Sequence, residues 1–318
     1  MKDARVIFAG TPEFARASLS ALVDSGMIPI AVLTQPDRPA GRGKQLTASP
    51  VKRYAEELGI SVMQPATLRK AHVVAELQAL KPDVIIVAAY GLILPQSVLD
   101  IPVRGCINVH ASLLPRWRGA APIQAAILAG DKTTGISLMS MTAGLDCGPV
   151  FVSRQIEIGD DETAGSLHDR LAKLGGDMLA ANLDDILESR INAVPQDDAA
   201  ASYAGKIQKQ DAKLEWSRSA SELERQVRAY NPVPGAFFFA PGDDTEADHP
   251  LRIKCWHAKS IKDVDAAAGT VVASGPEGVV VACASGALRL LELQLPGKRR
   301  VKAREFAEQL DLVGRVLS

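Results

Sequence analysis

The sequence is short of paired cysteines and of long apolar runs, and both shortages exclude classes of protein. Its four cysteines form no CxxC pair, and histidines such as His168, His249 and His257 stand alone, so no zinc-ligand spacing is present. We therefore expect free thiols and no bound metal. No apolar run reaches the roughly 18 residues that a bilayer span needs, and no secretory leader pattern opens the sequence, so we expect a cytoplasmic protein.

The sequence also lacks an excess of charge and a dinucleotide-binding fingerprint. With 36 Lys and Arg against 37 Asp and Glu, its net charge is -1, so a nucleic-acid partner could be met only by local basic patches. The first strand-like run ends in Ala9-Gly10-Thr11-Pro12, which has one glycine where GxGxxG is needed and a proline that removes a backbone donor. An NAD site is not expected there.

The length and the pattern of the first half predict an α/β fold. A chain of 318 residues suits two domains of about 100–200 residues each. Runs rich in β-branched residues at 5–10, 29–34 and 84–90 alternate with helical patterns, as in strands that are covered on both faces. We therefore expect a doubly wound, mostly parallel, Rossmann-like sheet, with ligands bound beyond the carboxyl ends of its strands.

The second half has a different pattern. Residues 191–204 are polar and rich in alanine, and they lose periodicity as a linker does. One helix and several short strand-like runs with Gly and Pro turns follow, which predicts a small, OB-like β-barrel. We expect a catalytic domain over residues 1–189, a linker over 190–206 and a barrel domain over 207–318.

Asn108 and His110 are the first candidates for chemistry. Successive side chains of a strand alternate between faces, so these two polar groups project together while Val109 packs the other way. Burying them costs free energy unless they are hydrogen-bonded or used in a reaction. A satisfied structural pair is one explanation. The proline-bounded turn that follows, residues 112–122, favours the other, a pocket.

Asp146 is the third candidate, since it lies between Gly144 and Gly148. These glycines allow the loop to bend back over the sheet edge. A carboxylate beside an imidazole orients the ring for acid–base work. A turn aspartate that bonds its own backbone is the alternative, and spacing alone leaves both open.

Two motifs, NVHASLLPRWRGAAPIQ (108–124) and GLDCGPV (144–150), resemble the folate-dependent formyltransferases. The resemblance extends along the chain through FAGTPEFA (8–15), AYGLILP (89–95) and KLEWSRSASELERQVRAYNPVPGAF (213–237). The loop TQPDRPAGRGK (34–44) resembles the branch of the family that acts on methionyl-tRNA.

The resemblance implies transfer of the formyl group of 10-formyltetrahydrofolate to the α-amine of methionyl initiator tRNA, for translation initiation. Asn108 would then stabilise the developing oxyanion. His110 would stabilise the same charge or relay the proton, and Asp146 would orient His110 and help withdraw the amine proton. No metal is implied, and nothing in the sequence suggests more than a monomer.

Binding residues are expected on both domains. By the resemblance, folate would bind at Ser112, Leu113, Leu114 and Pro115 and at Gly91, Leu92 and Ile93. Basic residues would contact tRNA: Arg38, Arg42 and Lys44 in the loop over 36–44, and Lys206, Lys298, Arg299 and Arg300 in the second domain. A solvated surface loop is the alternative for the first basic group, to which we also count Lys52, and ordinary surface residues are the alternative for the second. Plain core packing is the alternative for Leu113 and Leu114.

Two other functions stay open. One is a formyltransferase or formyl-folate hydrolase that acts on a small amine, such as an amino sugar. The other is a non-enzymatic folate- or RNA-binding module. The presence of Asn108, His110 and Asp146 disfavours the module, and the basic loop together with a second domain disfavours the small-amine enzyme.

Overall fold

A computed structural model describes residues 4–40, 45–241, 250–262, 264–310 and 312–318. The chain divides into two compact units, neither of them continuous in sequence. The first consists of Met1–Pro122, Thr133–Glu157 and His168–Ala204, and the second of Ile123–Lys132, Ile158–Leu167 and Gly205–Ser318. The predicted domain bounds (1–189, 190–206, 207–318) follow chain order instead and stay a prediction.

The strands of the first unit are short and mostly buried. They are β1 (Val6–Gly10), β2 (Ala31–Leu33), β3 (Arg38–Ala40), β4 (Gln45–Thr47), β5 (Val62–Met63), β6 (Val84–Ala88), β7 (Cys106–His110), β8 (Arg118–Gly119), β9 (Thr133–Ser140), β10 (Val150–Glu157) and β11 (Tyr203–Ala204). Seven of them form one sheet in the order β10-β9-β7-β6-β1-β2-β5. β9 runs antiparallel to both neighbours, and the other pairings are parallel. The predicted mostly parallel sheet is confirmed.

Helices alternate with these strands and continue into the second unit. They are α1 (Glu13–Asp24), α2 (Pro50–Glu57), α3 (Ala71–Ala79), α4 (Gln96–Leu99), α5 (Pro122–Ala129), α6 (Ala164–Leu187), α7 (Ala220–Ala229) and α8 (Ala303–Gln309). α2 shows why a helix begins where it does: the Ser49 hydroxyl accepts from the Lys52 amide at 3.0 Å, and Pro50 occupies the first turn. Apolar side chains of the sheet, such as Ile7, Leu33 and Ile85, pack in the core with side chains of the helices, such as Leu77 of α3.

The second unit contains an antiparallel sheet. Its strands are β12 (Phe237–Ala240), β13 (Leu251–Ile261), β14 (Val271–Gly275), β15 (Gly278–Ala282), β16 (Ala287–Gln294) and β17 (Val301–Lys302). They pair in the order β12-β13-β16-β15-β14, with β17 beside β16. Ser318 exchanges two backbone hydrogen bonds with Phe239 of β12, while Gly314 and Arg315 bond Val271 of β14. Residues 314–318 therefore join the two edge strands, and the predicted barrel-like second fold is confirmed.

Along the described ranges, no helix is both long enough and apolar enough to cross a membrane.

Candidate active site

β7 ends at the edge of the sheet where the carboxyl ends of its parallel strands lie. It pairs with β6, and Asn108 lies opposite Val87. Asn108 and His110 are 9% and 6% exposed, so two polar side chains are almost fully withdrawn from water at the carboxyl end of one strand. Such groups cost free energy unless they have partners or bind a ligand.

Both ring nitrogens of the His110 imidazole face an oxygen atom of the protein. Its Nε2 lies 3.0 Å from the carbonyl oxygen of Trp117. A carbonyl can only accept, so Nε2 carries a proton in this arrangement. Its Nδ1 faces the carboxylate Oδ2 of Asp146 at 3.8 Å, which is longer than a hydrogen bond and can tighten when a substrate binds. Nδ1 is therefore the atom at which a proton can be taken up or released.

The side-chain amide of Asn108 makes no hydrogen bond within the part of the chain that the structure describes. The residue is 9% exposed, and its amide atoms, unlike the Tyr90 hydroxyl, are not fully enclosed, so a ligand can reach them. Its N–H groups are therefore available to an oxygen that enters the site, beside the imidazole of His110. In a purely structural pair of polar residues, this donor would form a hydrogen bond with another group of the protein.

Asp146 reaches the site from the loop between β9 and β10. Its φ of +48° lies in the left-handed region, which non-glycine residues rarely adopt outside constrained sites. Its Oδ2 accepts from the backbone N–H of Gly119 at 2.8 Å, 27 residues away in sequence. Gly119 itself has a φ of +117°, and a Cβ there would lie 2.5 Å from the Ala204 carbonyl. Asp146 thus bonds the neighbouring turn, as an orienting carboxylate would.

The turn after β7 carries one group of predicted folate residues and is pinned to β9. The hydroxyl of Ser137 donates to the Ser112 carbonyl at 2.8 Å and accepts from the Leu114 amide at 3.1 Å. Ser112 is buried, and Leu113, Leu114 and Pro115 are half-buried. The turn therefore presents a fixed backbone with partly exposed apolar side chains.

The loop after β6 carries the other predicted folate-binding residues, which are Gly91, Leu92 and Ile93. The Tyr90 carbonyl accepts from the Thr11 hydroxyl and from the Gln35 amide, both at 2.9 Å, which ties this loop to those after β1 and β2. Gly91 has a φ of +81°, and a Cβ there would collide with Gln35. β6 and β7 are parallel neighbours, so this loop and the turn over residues 111–115 leave from one sheet edge.

Side chains around the loop after β6 differ in exposure. Leu92 is half-buried, while Ile93 is 74% exposed. The Tyr90 hydroxyl is buried without a hydrogen-bond partner among the described residues, and burial raises its pKa.

The predicted basic loop is described at its base only. Arg38 is exposed in β3, which pairs with β4, whereas Arg42 and Lys44 lie outside the described residues. Lys52 is not a free cation: its Nζ lies 2.8 Å from Asp37, whose other oxygen accepts from Gln64 at 2.7 Å. Hydrogen bonds from Lys52 and Gln64 hold the pKa of Asp37 below its usual range. Lys52 therefore anchors the base of the loop.

In the second unit, the predicted basic residues Lys206, Lys298, Arg299 and Arg300 are all exposed. Arg299 forms an ion pair of 2.6 Å with Glu305, so part of its charge is already compensated. The guanidinium of Arg300 instead lies 3.5 Å from the centroid of the Trp256 ring.

Two further cations join Arg300, and sequence reasoning missed both. Lys254 lies over the Trp256 ring at 5.0 Å and Arg252 over the Phe237 ring at 3.8 Å. Burial and the nearby charges of Arg252 and Arg300 lower the pKa of Lys254. Among the described residues, no carboxylate pairs with any of the three. We call Arg252, Lys254, Arg300, Trp256 and Phe237 the Trp256 cluster; positions 252, 254 and 256 alternate along β13, which was the available signal.

Comparison with known proteins places this geometry in a family. A model described as formyl transferase matches residues 4–183, and one described as formyl transferase, C-terminal domain, matches residues 206–311. The chain belongs to the formyl transferase family. The methionyl-tRNA formyltransferase of Methylococcus capsulatus is 50% identical over 314 residues, which cover 98% of this chain and 99% of that relative. The predicted membership of the formyltransferases, and with it the enzyme class, is confirmed.

Solved structures with low sequence identity share the fold. WlaRD, a sugar 3N-formyl transferase crystallised in the presence of dTDP and 5-N-formyl-THF, superposes with a TM-score of 0.64 at 15% identity, over 93% of this chain and 99% of that one. HypX from Aquifex aeolicus, in complex with tetrahydrofolic acid, gives a TM-score of 0.61 at 17% identity, over 97% of this chain and 48% of HypX. Within the described residues, no group of three or more His, Cys, Asp or Glu is arranged to hold a metal ion.

Proposed function

We propose that this chain transfers the formyl group of 10-formyltetrahydrofolate to the α-amino group of methionyl initiator tRNA. The observation that carries the chemistry is the amide of Asn108, 9% exposed and without a partner among the described residues, beside an imidazole whose Nδ1 faces Asp146. The 50% sequence identity with methionyl-tRNA formyltransferases, which extends over nearly the whole chain, supports methionyl-tRNA as the acceptor.

The reaction needs three things from the site. The neutral amine attacks the formyl carbon, the carbonyl oxygen becomes negative, and the bond from that carbon to N10 of the folate then breaks. Asn108 donates to the oxyanion, which is stabilised best by donors that are already in place and shielded from water. One proton leaves the amine and one reaches N10, so atoms and charge balance when His110 passes a proton through Nδ1 and Asp146 keeps the ring oriented.

Folate binding is assigned to the two segments at the shared edge. Ser112, Leu113, Leu114 and Pro115 supply a pinned backbone, and Gly91, Leu92 and Ile93 supply a glycine-kinked one. Exposed backbone groups with apolar side chains suit a flat, many-edged pterin ring. The folates named with HypX and WlaRD, which share the fold, support a folate donor here.

The tRNA is assigned to two basic surfaces. The first is represented by Arg38, while the predicted contacts Arg42 and Lys44 lie outside the described residues; the second consists of Lys206, Lys298, Arg299 and Arg300. The Trp256 cluster strengthens the second assignment, because its cations lie over aromatic rings and pair with no carboxylate of the described residues, which suits phosphates and bases. We place the enzyme in the cytoplasm as a monomer, which sedimentation with and without tRNA would check.

The second candidate is formylation of a small amine, since WlaRD acts on a sugar. The deciding experiment offers 10-formyltetrahydrofolate with methionyl initiator tRNA, methionyl elongator tRNA or a dTDP-amino sugar in separate reactions. We expect N-formylmethionine from the initiator tRNA and no formyl sugar. Turnover of the sugar with untouched Met-tRNA would replace the proposed acceptor, and His110→Ala serves as the inactive control in each reaction.

A further inference from the structure

Residues 194–204, which composition assigned to the linker, are bonded into the candidate site. We call them the strap. Val194 exchanges two backbone hydrogen bonds of 2.8 Å with Val150, at the start of β10. Further along, the Ser202 hydroxyl accepts from the amide of Trp117 at 3.0 Å. Trp117 is the residue whose carbonyl faces Nε2 of His110, so the strap supports one side of the imidazole.

Gln196 supports the other side. Its Nε2 donates to two carbonyls of the loop that carries Asp146, the carbonyl of Asp146 itself at 2.8 Å and that of Gly148 at 2.7 Å. Its Oε1 accepts from Nε of Arg118 at 3.0 Å. Both amide hydrogens and the amide oxygen are thus used, and each joins the strap to a segment next to His110.

Arg118 fixes the side-chain amide of Gln196 through a hydrogen bond to its oxygen. Its side chain is only 3% exposed, and its outer nitrogen forms a 2.7 Å ion pair with Asp198, which is also in the strap. A guanidinium presents its donors in a fixed planar fork, so it fixes the orientation of the Gln196 amide as well as its position. The next residue, Gly119, donates to the Asp146 carboxylate. Residues 118–119 and Gln196 therefore restrain one loop from two directions.

The Asp146 loop needs such a restraint. Asp146 has a left-handed backbone, and Gly144 and Gly148 on either side allow many other conformations. The Asp146 carboxylate lies 3.8 Å from Nδ1 of His110, so a small movement of the loop would separate the two groups. The two hydrogen bonds from Gln196, to carbonyls two residues apart in the loop, oppose that movement.

We propose that Gln196 is a positioning residue for formyl transfer: it holds the loop so that the Asp146 carboxylate stays against Nδ1 of His110. Gln196 acts through Asp146 and does not have to contact the substrates. The proposal rests on the proposed function, because the step that it serves is the proton movement at His110.

The kinetic test uses Gln196→Met, which keeps the length of the side chain and removes all three hydrogen bonds. We expect kcat to fall about 10- to 100-fold, the size of effect that slight misplacement of a catalytic group produces, with the KM values for tRNA and folate unchanged. Gln196→Glu keeps the acceptor for Arg118 and loses the donors to the loop, so kcat should fall in the same way. The matched control is Gln155→Met, at an exposed glutamine of β10.

A second readout does not depend on activity. In the ¹⁵N–¹H spectrum of the histidine rings, His110 is identified by its loss in His110→Gln. In Gln196→Met its Nδ1 signal should shift, while the other histidine signals stay in place. Wild-type kcat together with an unmoved His110 signal would overturn the proposal. If wild-type enzyme formylates no Met-tRNA, the proposed function fails. The His110 signal then still decides whether Gln196 holds Asp146 against the imidazole.

Discussion

The sheet edge around His110 and the Trp256 cluster use polar groups in opposite ways. At the sheet edge Asn108 and His110 are buried, and backbone groups of Trp117 and Gly119 bond the side chains of His110 and Asp146. In the Trp256 cluster Arg252 and Arg300 are exposed, and their charges have no carboxylate partner among the described residues. A group that stabilises a transition state works best when it is already oriented and dry, whereas a group that attracts a polyanion needs uncompensated charge.

The largest effect is expected where the buried histidine is removed. His110→Ala deletes the proton carrier, so kcat should fall about 10²- to 10⁴-fold while the KM for Met-tRNA is unchanged. Steady-state kinetics with purified enzyme measure both. The control is His72→Ala, at an exposed histidine of α3. A rise in KM with unchanged kcat would mean that His110 binds substrate and carries no proton.

The second largest effect is expected when the side-chain amide of Asn108 is removed. Asn108→Leu takes away the oxyanion donor but no hydrogen bond within the described protein, so kcat should fall about 10²- to 10³-fold with no loss of Tm. A structural asparagine would behave the other way, with a lower Tm and a nearly normal rate. Thermal denaturation beside the kinetic assay therefore separates the two explanations that the sequence left open.

Neutralising the Trp256 cluster should change binding and leave chemistry intact. With Arg252, Lys254 and Arg300 all replaced by Gln, the KM for tRNA should rise about tenfold, and the dependence of log Kd on log salt should become shallower by about two units, because fewer counterions are released. The rate at saturating tRNA should stay the same. Lys132→Gln is the control, since this lysine is 83% exposed and pairs with Asp160. An unchanged salt slope would count against the surface.

The smallest effect concerns stability alone. Glu222 closes a capping box with Ser219 at the start of α7, and hydrogen bonds from Ser219, then from Arg218, lower its pKa to about 2. Its charge therefore stabilises the fold above the ordinary pKa of 4.5, and this stabilisation is lost as the pH falls toward about 2. Since Glu222 is 40% exposed, Glu222→Gln should cost only roughly 0.5 kcal/mol at pH 7.

The same variant separates stability from binding in the second unit. Urea denaturation at pH 7 should show the small loss for Glu222→Gln, and the loss should shrink at low pH as the wild-type carboxylate is protonated. The KM for tRNA should not change. A change in KM would show that small losses of stability disturb the Trp256 cluster, and its variants would then need to be compared at equal stability.

Much of the fold could be predicted because its strands are buried on both faces. β6 is a nearly unbroken run of β-branched residues, β1 is mostly apolar, and the alternation along β7 was enough to place Asn108 and His110 together. The strands of two or three residues, such as β3 and β8, are too short to carry a periodic signal. β8 forms because it meets β11, which is distant in sequence, and no local pattern reports that pairing.

The missed residues have partners that are distant in sequence. Gln196 lies in a polar, alanine-rich stretch that reads as a linker, and only its contacts with the Asp146 loop and Arg118 show its place. The Trp256 cluster is assembled from β12, β13 and the turn after β16 by sheet register. Lys52 was counted as a free cation because its charge is visible in the sequence and its pairing with Asp37 is not.

The most direct measurement is a single-turnover formylation of methionyl initiator tRNA at saturating tRNA and 10-formyltetrahydrofolate. Wild-type enzyme and the triple Gln variant of the Trp256 cluster should form N-formylmethionine at the same rate constant, whereas His110→Ala should be slower by at least about 10²-fold. If His110→Ala reacts as fast as wild type, or if the cluster variant is the slow one at saturation, the chemistry does not reside at the sheet edge around His110.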